Sequence, residues 1–186
     1  MANISRRYGH GKGLTALFVD YKSGFFITCG NDSDIRVWKD FDDDNVVEIF
    51  FGESATSLVC HDDKIYVGAA TSGMVKGFTR STRQPDDGVI TRFTLPITHL
   101  SLTKDGGNLF VASSELGVIR NVSLATHRFT TFGDEHTAPV LSLALDPREE
   151  FLASASGDGS VRIWKLLDEE CVHALPNLLM KTNDIR

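Results

Sequence analysis

Two sets of four residues recur in this chain at the same spacing, and that recurrence limits the fold more than any other feature. His10, Thr28, Asp32 and Trp38 are matched by His136, Ser154, Asp158 and Trp164. In both sets the histidine precedes the tryptophan by 28 residues, the hydroxyl residue by 10 and the aspartate by 6. A supersecondary unit used more than once explains this, because repeat architectures stack units that cannot bury a hydrophobic face alone. Around each set, runs such as Phe25-Phe26-Ile27-Thr28-Cys29 and Val161-Arg162-Ile163-Trp164 are rich in β-branched and aromatic residues. Turn residues separate them, which is the signature of short strands.

Two weaker copies lie between. One holds Ser57 to Cys60, Lys64 to Gly68 and Met74 to Phe78. The other holds Leu100 to Leu102, Leu109 to Ala112, Val118 to Leu124 and Arg128 to Phe132. With Phe78 and Val122 in the tryptophan position, the steps 38→78→122→164 are 40, 44 and 42 residues. Asp158-Gly159 and Asp105-Gly106-Gly107 supply the positive φ that tight hairpins need. Asp146-Pro147 and Lys22-Ser23-Gly24 mark the turn between first and second strands, and no window predicts a helix. The sequence thus predicts an all-β chain of four units, at about 8–52, 53–95, 96–133 and 134–176, with 177–186 a tail or the start of a further unit.

Gly9-His10 at the start of the unit and tryptophan at its end resemble the WD-repeat family. Lys39 and Lys165 stand where that family usually has aspartate, and Glu135 replaces glycine before His136. The resemblance implies a partial WD40 β-propeller, about four four-stranded blades of an expected seven. It also implies that the recurring residues form structural tetrads. The indole N–H of a buried Trp38 or Trp164 would donate to Thr28 or Ser154, that hydroxyl would bond His10 or His136, and the other ring nitrogen would donate to Asp32 or Asp158. Histidine, serine and aspartate together also suggest a hydrolase triad. A triad occurs once and needs an exposed nucleophile, whereas this set occurs twice at a fixed distance from tryptophan. No catalytic residue, and no enzyme, is expected.

Composition narrows the partners. Apolar residues make up 41% of the 186, enough for a core, and no run approaches the ~18 apolar residues of a membrane span. The start lacks the apolar segment of a secretory signal, so a soluble intracellular protein is expected. Cys29, Cys60 and Cys171 are far apart, which predicts reduced thiols and neither a disulfide frame nor a zinc site. A net charge of −6 without clustered Lys or Arg disfavours direct nucleic-acid binding. Gly9-His10-Gly11-Lys12-Gly13 lacks phosphate-loop spacing and is expected to be an inter-blade loop. Asp40 and Asp42-Asp43-Asp44 lack calcium-loop spacing, and Arg80, Arg83 and Lys76 cluster near a turn; both are expected to be solvated. His61, His99, His127 and His173 show no metal-ligand spacing and are expected at the surface. No cofactor, metal or small-molecule ligand is predicted.

Several stretches are similar to one family in particular. They are Arg7-Tyr8-Gly9-His10, Thr28-Cys29-Gly30 with Trp38 and the acidic Asp42-Asp43-Asp44, Asp87 to Thr94, and Ala138 to Leu143. Phe151 to Ser156, Asp158 to Arg162, and Lys181 with Asn183-Asp184 complete the likeness. Together they resemble the WD-repeat and HMG-box DNA-binding protein family of replisome adaptors, also called acidic nucleoplasmic DNA-binding protein or chromosome transmission fidelity factor four. The resemblance implies a nuclear scaffold at replication forks, acting in DNA replication, chromatin maintenance and repair. Partners in that family include DNA polymerase alpha and the replicative helicase, bound through a second propeller with a trimerising helical part. Animal members add an HMG box that binds DNA. The chain holds only about the first half of the N-terminal propeller, so those parts are missing from it. The alternative is a WD-repeat substrate receptor of a ubiquitin ligase or another generic scaffold. Such receptors often carry Trp-Asp-x-Arg, which Trp38-Lys39-Asp40-Phe41 and Trp164-Lys165-Leu166-Leu167 lack. Finally, four blades in a row should leave two apolar faces uncovered, the outward side of the sheet containing Phe26, Val37 and Trp38 and the far side of the sheet containing Leu143, Leu152 and Ile163. Self-association is expected from them.

Overall fold

A computed structural model of the chain describes residues 9–20, 23–39, 46–132 and 136–176. Arg7, Tyr8, Lys22, Asp40, Asp42 to Asp44, Glu135, Lys181, Asn183, Asp184 and the tail at 177–186 lie outside the described residues. Among the described residues every regular element is a strand. The first sheet is β1 (Leu14–Asp20), β2 (Phe25–Gly30), β3 (Asp34–Lys39) and β4 (Val46–Phe50). The second is β5 (Ala55–His61), β6 (Lys64–Ala69) and β7 (Met74–Thr79), edged by β8 (Gln84–Pro85) and β9 (Thr91–Arg92). The third is β10 (Ile97–Leu102), β11 (Asn108–Ser113), β12 (Ile119–Ser123) and β13 (Phe129–Phe132). The fourth is β14 (Val140–Leu145), β15 (Phe151–Ser156), β16 (Val161–Lys165) and β17 (Glu170–Leu175).

All pairings are antiparallel and, β9 apart, join strands consecutive in the chain, as short hairpin turns require. In the second sheet the edge is split, β8 pairing with one end of β7 and β9 with the other. Pro85 has no N–H to continue a ladder, and the Asp86 carboxylate turns inward onto Lys64 and Thr79. The pairing also places the four tryptophan-position residues alike. Trp38 faces Phe26, Phe78 faces Ile65, Val122 faces Leu109 and Trp164 faces Leu152, each the second residue of its sheet's second strand.

Burial follows from which faces are covered. In β6 and β11 every residue but the first is buried, because sheets pack on both sides. In β15 burial alternates strictly, with Leu152, Ser154 and Ser156 buried and Phe151, Ala153 and Ala155 half-exposed. Among the described residues nothing covers that second face.

The two uncovered faces lie on the sheets that the sequence pointed to, the first and the fourth. Val37 is buried against the second sheet, because it adjoins Trp38 in β3 and consecutive strand residues point to opposite faces. Leu143 and Leu152 are buried with Trp164 against the third sheet. The uncovered residues are Leu17, Phe26, Trp38 and Phe50 on the first sheet, and Ala153, Ile163 and Leu175 on the fourth. Trp38 is accordingly half-buried, not buried as expected, and Phe26 stacks on it at 5.4 Å. Trp164 is fully buried.

Candidate functional site

In each recurring set the histidine precedes the first strand, the hydroxyl residue lies in the second, the aspartate in the following turn and the tryptophan in the third. Because Trp38 pairs with Phe26, its indole reaches along the same face to Thr28, two residues on. The Trp38 indole N–H donates to Thr28 Oγ1 at 2.9 Å, and Thr28 Oγ1 lies 2.9 Å from His10 Nε2. His10 Nδ1 lies 2.7 Å from Asp32 Oδ1. An ionised carboxylate only accepts, so Nδ1 carries the proton there. Gly30 permits this approach, since a Cβ would fall 2.8 Å from His10 Nδ1 and 2.4 Å from the Gly13 carbonyl oxygen.

The fourth sheet repeats the geometry. The Trp164 indole N–H donates to Ser154 Oγ at 2.8 Å, Ser154 Oγ lies 2.8 Å from His136 Nε2, and His136 Nδ1 lies 3.0 Å from Asp158 Oδ2. All eight residues singled out in the sequence are thus brought together, four in each sheet. Burial is deep in the fourth sheet, with Ser154 1% and His136 2% exposed, so a substrate has no path to that hydroxyl.

Sequence reasoning missed the outer partners of these carboxylates. Arg36, buried, donates to Asp32 at 2.9 Å and to Glu48 at 3.0 Å. The Gly11 N–H donates to Asp32 Oδ2, so the glycine-rich loop is tied to the hairpin. Asp158 accepts from the N–H groups of Thr137 and Ser160 and from the Ser160 hydroxyl. The usable signal was Arg36 itself, four residues after Asp32 and two before Trp38. The middle sheets tie loop to hairpin differently. Glu53 accepts from the Thr71 and Ser72 N–H groups and the Ser72 hydroxyl, and Glu115 accepts from the Thr94 N–H and hydroxyl.

Burial pushes the Asp32 carboxyl up, but hydrogen bonds from His10, Arg36 and the Gly11 N–H outweigh it and hold it well below the usual carboxylate range. Burial likewise raises Asp158, and bonds from Ser160, Thr137 and His136 outweigh it and lower it well below that range. A folded value depressed below the unfolded ~3.9 stabilises the fold above that pH, and the stabilisation is lost as pH falls through the folded value. Stability should therefore drop progressively below about pH 4. Asp158→Ala should lower the melting temperature at neutral pH and flatten that acid-side drop. An unchanged melting temperature would sink the role given to Asp158. Burial also raises the Cys29 and Cys60 thiols to about 11, leaving both unreactive.

Two further expectations are corrected. Arg80 and Lys76 are half-buried and in contact, not simply solvated: the Arg80 guanidinium lies 4.0 Å from the Phe25 ring centroid and 3.4 Å from Asp63, and Lys76 lies over Phe51. Arg83 is exposed. His127 and His173 are exposed, but His61 and His99 are half-buried, and burial lowers the pKa of His99. His61 lies against the β10–β11 turn, where a Cβ on Gly106 would come within 2.4 Å of its ring.

Comparison with known proteins adds the wider context. The family described as WDHD1 first WD40 domain matches residues 7–186. WD repeat and HMG-box DNA-binding protein 1 of Xenopus laevis is 42% identical over 96% of this chain, and that of Homo sapiens 41% over 96%. The chain spans only 16% of the length of either relative. Among solved structures, the computationally designed Ika4 protein superposes with a TM-score of 0.71 at 22% identity, over 85% of this chain and 94% of that one. The fold is a partial WD40 propeller: successive antiparallel sheets that do not close into a ring.

Proposed function

Because this chain belongs to the WDHD1 first WD40 domain family, we propose that it works as a non-enzymatic scaffold that binds other proteins. The observation that carries this reading is the state of the catalytic-looking groups, seen most plainly in the fourth sheet. Ser154 and His136 are buried, and their polar atoms are engaged by Trp164 and Asp158. A hydroxyl that accepts from an indole inside a core is not available as a nucleophile. The tetrads instead fasten each loop to its hairpin, so the first strand is held in register with the next two. Satisfied polar networks of this kind specify a unique packing. Outside the tetrads, sheet edges and turns offer a broad surface of the sort protein partners use.

The finer reading is a nuclear role at replication forks, in DNA replication, chromatin maintenance and repair. Its support is the likeness to relatives whose name includes HMG-box DNA-binding. DNA polymerase alpha and the replicative helicase are candidate partners of the longer protein. The net charge of −6 argues against this segment gripping DNA itself. Two measurements test the proposal. A labelled duplex titrated with the chain at about physiological salt should show no saturable binding; a tight complex with a steep salt slope would overturn the reading. A fluorescent fusion of the chain in dividing cells should gather where a nucleotide analogue is being incorporated, and exclusion from nuclei would remove the replication role.

A further inference from the structure

Neighbouring sheets meet in clefts at the end of the molecule where first strands turn into second and third into fourth. The cleft between the first and second sheets, about 320 Å³, is lined by Phe25 and Val37 on one side and Asp63 and Arg80 on the other. The cleft between the third and fourth sheets, about 560 Å³, has Asn108 and Asn121 on one side and Glu150, Phe151 and Leu166 on the other. The repeat makes the two comparable residue by residue. Asp63 and Glu150 each immediately precede their sheet's second strand. The Asp63 carbonyl accepts the Arg80 N–H at 2.8 Å, and the Glu150 carbonyl accepts the Leu166 N–H at 3.0 Å. Leu166 therefore holds the place of Arg80, and Glu150 that of Asp63.

In the first cleft the chain supplies its own cation, Arg80, which stacks on Phe25 and pairs with Asp63. In the second, leucine stands where that cation would be, and the cleft is larger. Glu150 is exposed there, beside Asp105 and Glu149. Lys165, the one lysine lining it, is drawn to Asp168. Asn121 Oδ1 is buried and finds no donor among the described residues. The result is a larger, acidic cleft that keeps the carboxylate position of the internal arginine site, with Asn108 in the place of Phe25 and no arginine.

We propose that this cleft receives an arginine side chain from a partner polypeptide, with the guanidinium pairing to Glu150, the counterpart of Asp63. The inference rests on the reading of the chain as a protein-binding module and names the chemistry of one partner segment. Arginine suits the cleft better than lysine, because its planar fork pairs with carboxylates through two bonds and has further N–H groups for an acceptor such as Asn121 Oδ1. An apolar neighbour of that arginine would cover Leu167, which is 84% exposed. Phosphate-bearing ligands are disfavoured by the three carboxylates. The net charge of −6 would draw a basic segment in.

The test uses the whole 186-residue chain and three blocked peptides, Leu-Arg-Leu and its lysine and citrulline counterparts. Titration is followed by calorimetry and by the side-chain amide resonance of Asn121. The arginine peptide should bind and shift that resonance, the lysine peptide should bind more weakly, and the uncharged citrulline peptide should not bind. Glu150→Gln should weaken binding about tenfold or more, the worth of a charge-assisted hydrogen bond. Leu166→Arg, which supplies the cation from within as Arg80 does, should abolish binding while leaving the chain folded. Equal binding of the citrulline peptide, failure of the arginine peptide to bind, or binding undisturbed by Leu166→Arg would overturn the proposal. Partner proteins bound by the wild-type chain and equally by both variants would likewise remove this cleft, while leaving the scaffold reading intact.

Discussion

Trp164→Ala should be among the most damaging single substitutions in the chain, costing about 3–5 kcal/mol of stability, on the order of 10 °C in melting temperature. Trp164 is fully buried, packs edge-on against Phe132 at 5.8 Å and His136 at 6.3 Å, and donates its N–H to Ser154. Truncation removes apolar contacts from both the third and fourth sheets. It also deprives the Ser154 hydroxyl of a donor where water does not reach. Trp38→Ala should cost distinctly less, although its tetrad has the same bonds. Trp38 lies on the uncovered face of the first sheet, so part of its ring is already in water, and Phe26 is its stacking neighbour. Chemical denaturation of the two variants alongside the parent measures the difference. Equal losses would mean that the two faces are equally covered, against the burial described here.

That contrast also separates what was legible in the sequence from what was not. The spacing of His10, Thr28, Asp32 and Trp38 carried the repeat, and from it the sheets, because a fixed offset from tryptophan survives whatever fills the other positions. Phe78 and Val122 were found by step length alone, and their pairing with Ile65 and Leu109 puts them in the tryptophan register. The middle sheets lack a histidine relay, since Val67 and Val111 stand where Thr28 and Ser154 stand in the outer sheets. Their loop-to-hairpin ties, Glu53 to Ser72 and Thr94 to Glu115, use different residue types and so form no motif. Even so, the separations of 19 and 21 residues lie close to the 22 of His10 to Asp32. A search for a carboxylate and a donor about one hairpin apart could have found them. The sheets with open faces were legible as the first and last of the row, whereas strand alternation decides which residues line them: Val37 and Leu152 face a neighbouring sheet, Phe26 and Ile163 do not. The cleft between the third and fourth sheets, with leucine in the place of Arg80, was out of reach, because it is a difference between two sites that only packing brings into correspondence.

The chain studied alone should self-associate. In each internal junction one sheet presents the face opposite its tryptophan position, as Phe25, Ile27 and Val37 do, and the next sheet covers it with β5, β10 or β14 and their neighbours. The fourth sheet presents the same kind of face, Ala153, Ile163 and Leu175, with no sheet against it among the described residues. A hollow of about 350 Å³ lined by Phe151, Ala153 and Ile163 marks the spot. At the other end the first sheet exposes Leu17 at 56% and Phe50 at 77%, with Phe26 and Trp38 half-exposed. The two ends are the two halves of a junction that the fold makes internally. A second copy can therefore dock head to tail, and a contact of that type either closes a ring or grows into a chain. Repeat arrays normally avoid this with polar capping units, and neither face here is polar enough to serve. Light scattering at several concentrations should give a mass that rises above 20.5 kDa, together with binding of a hydrophobic dye. Ile163→Lys, which places a charge on the fourth face while leaving the three internal junctions untouched, should lower the apparent mass without lowering the melting temperature of the monomer. A sharp 20.5 kDa species at every concentration, with no dye bound, would defeat the argument and require that some other part of the chain covers both faces.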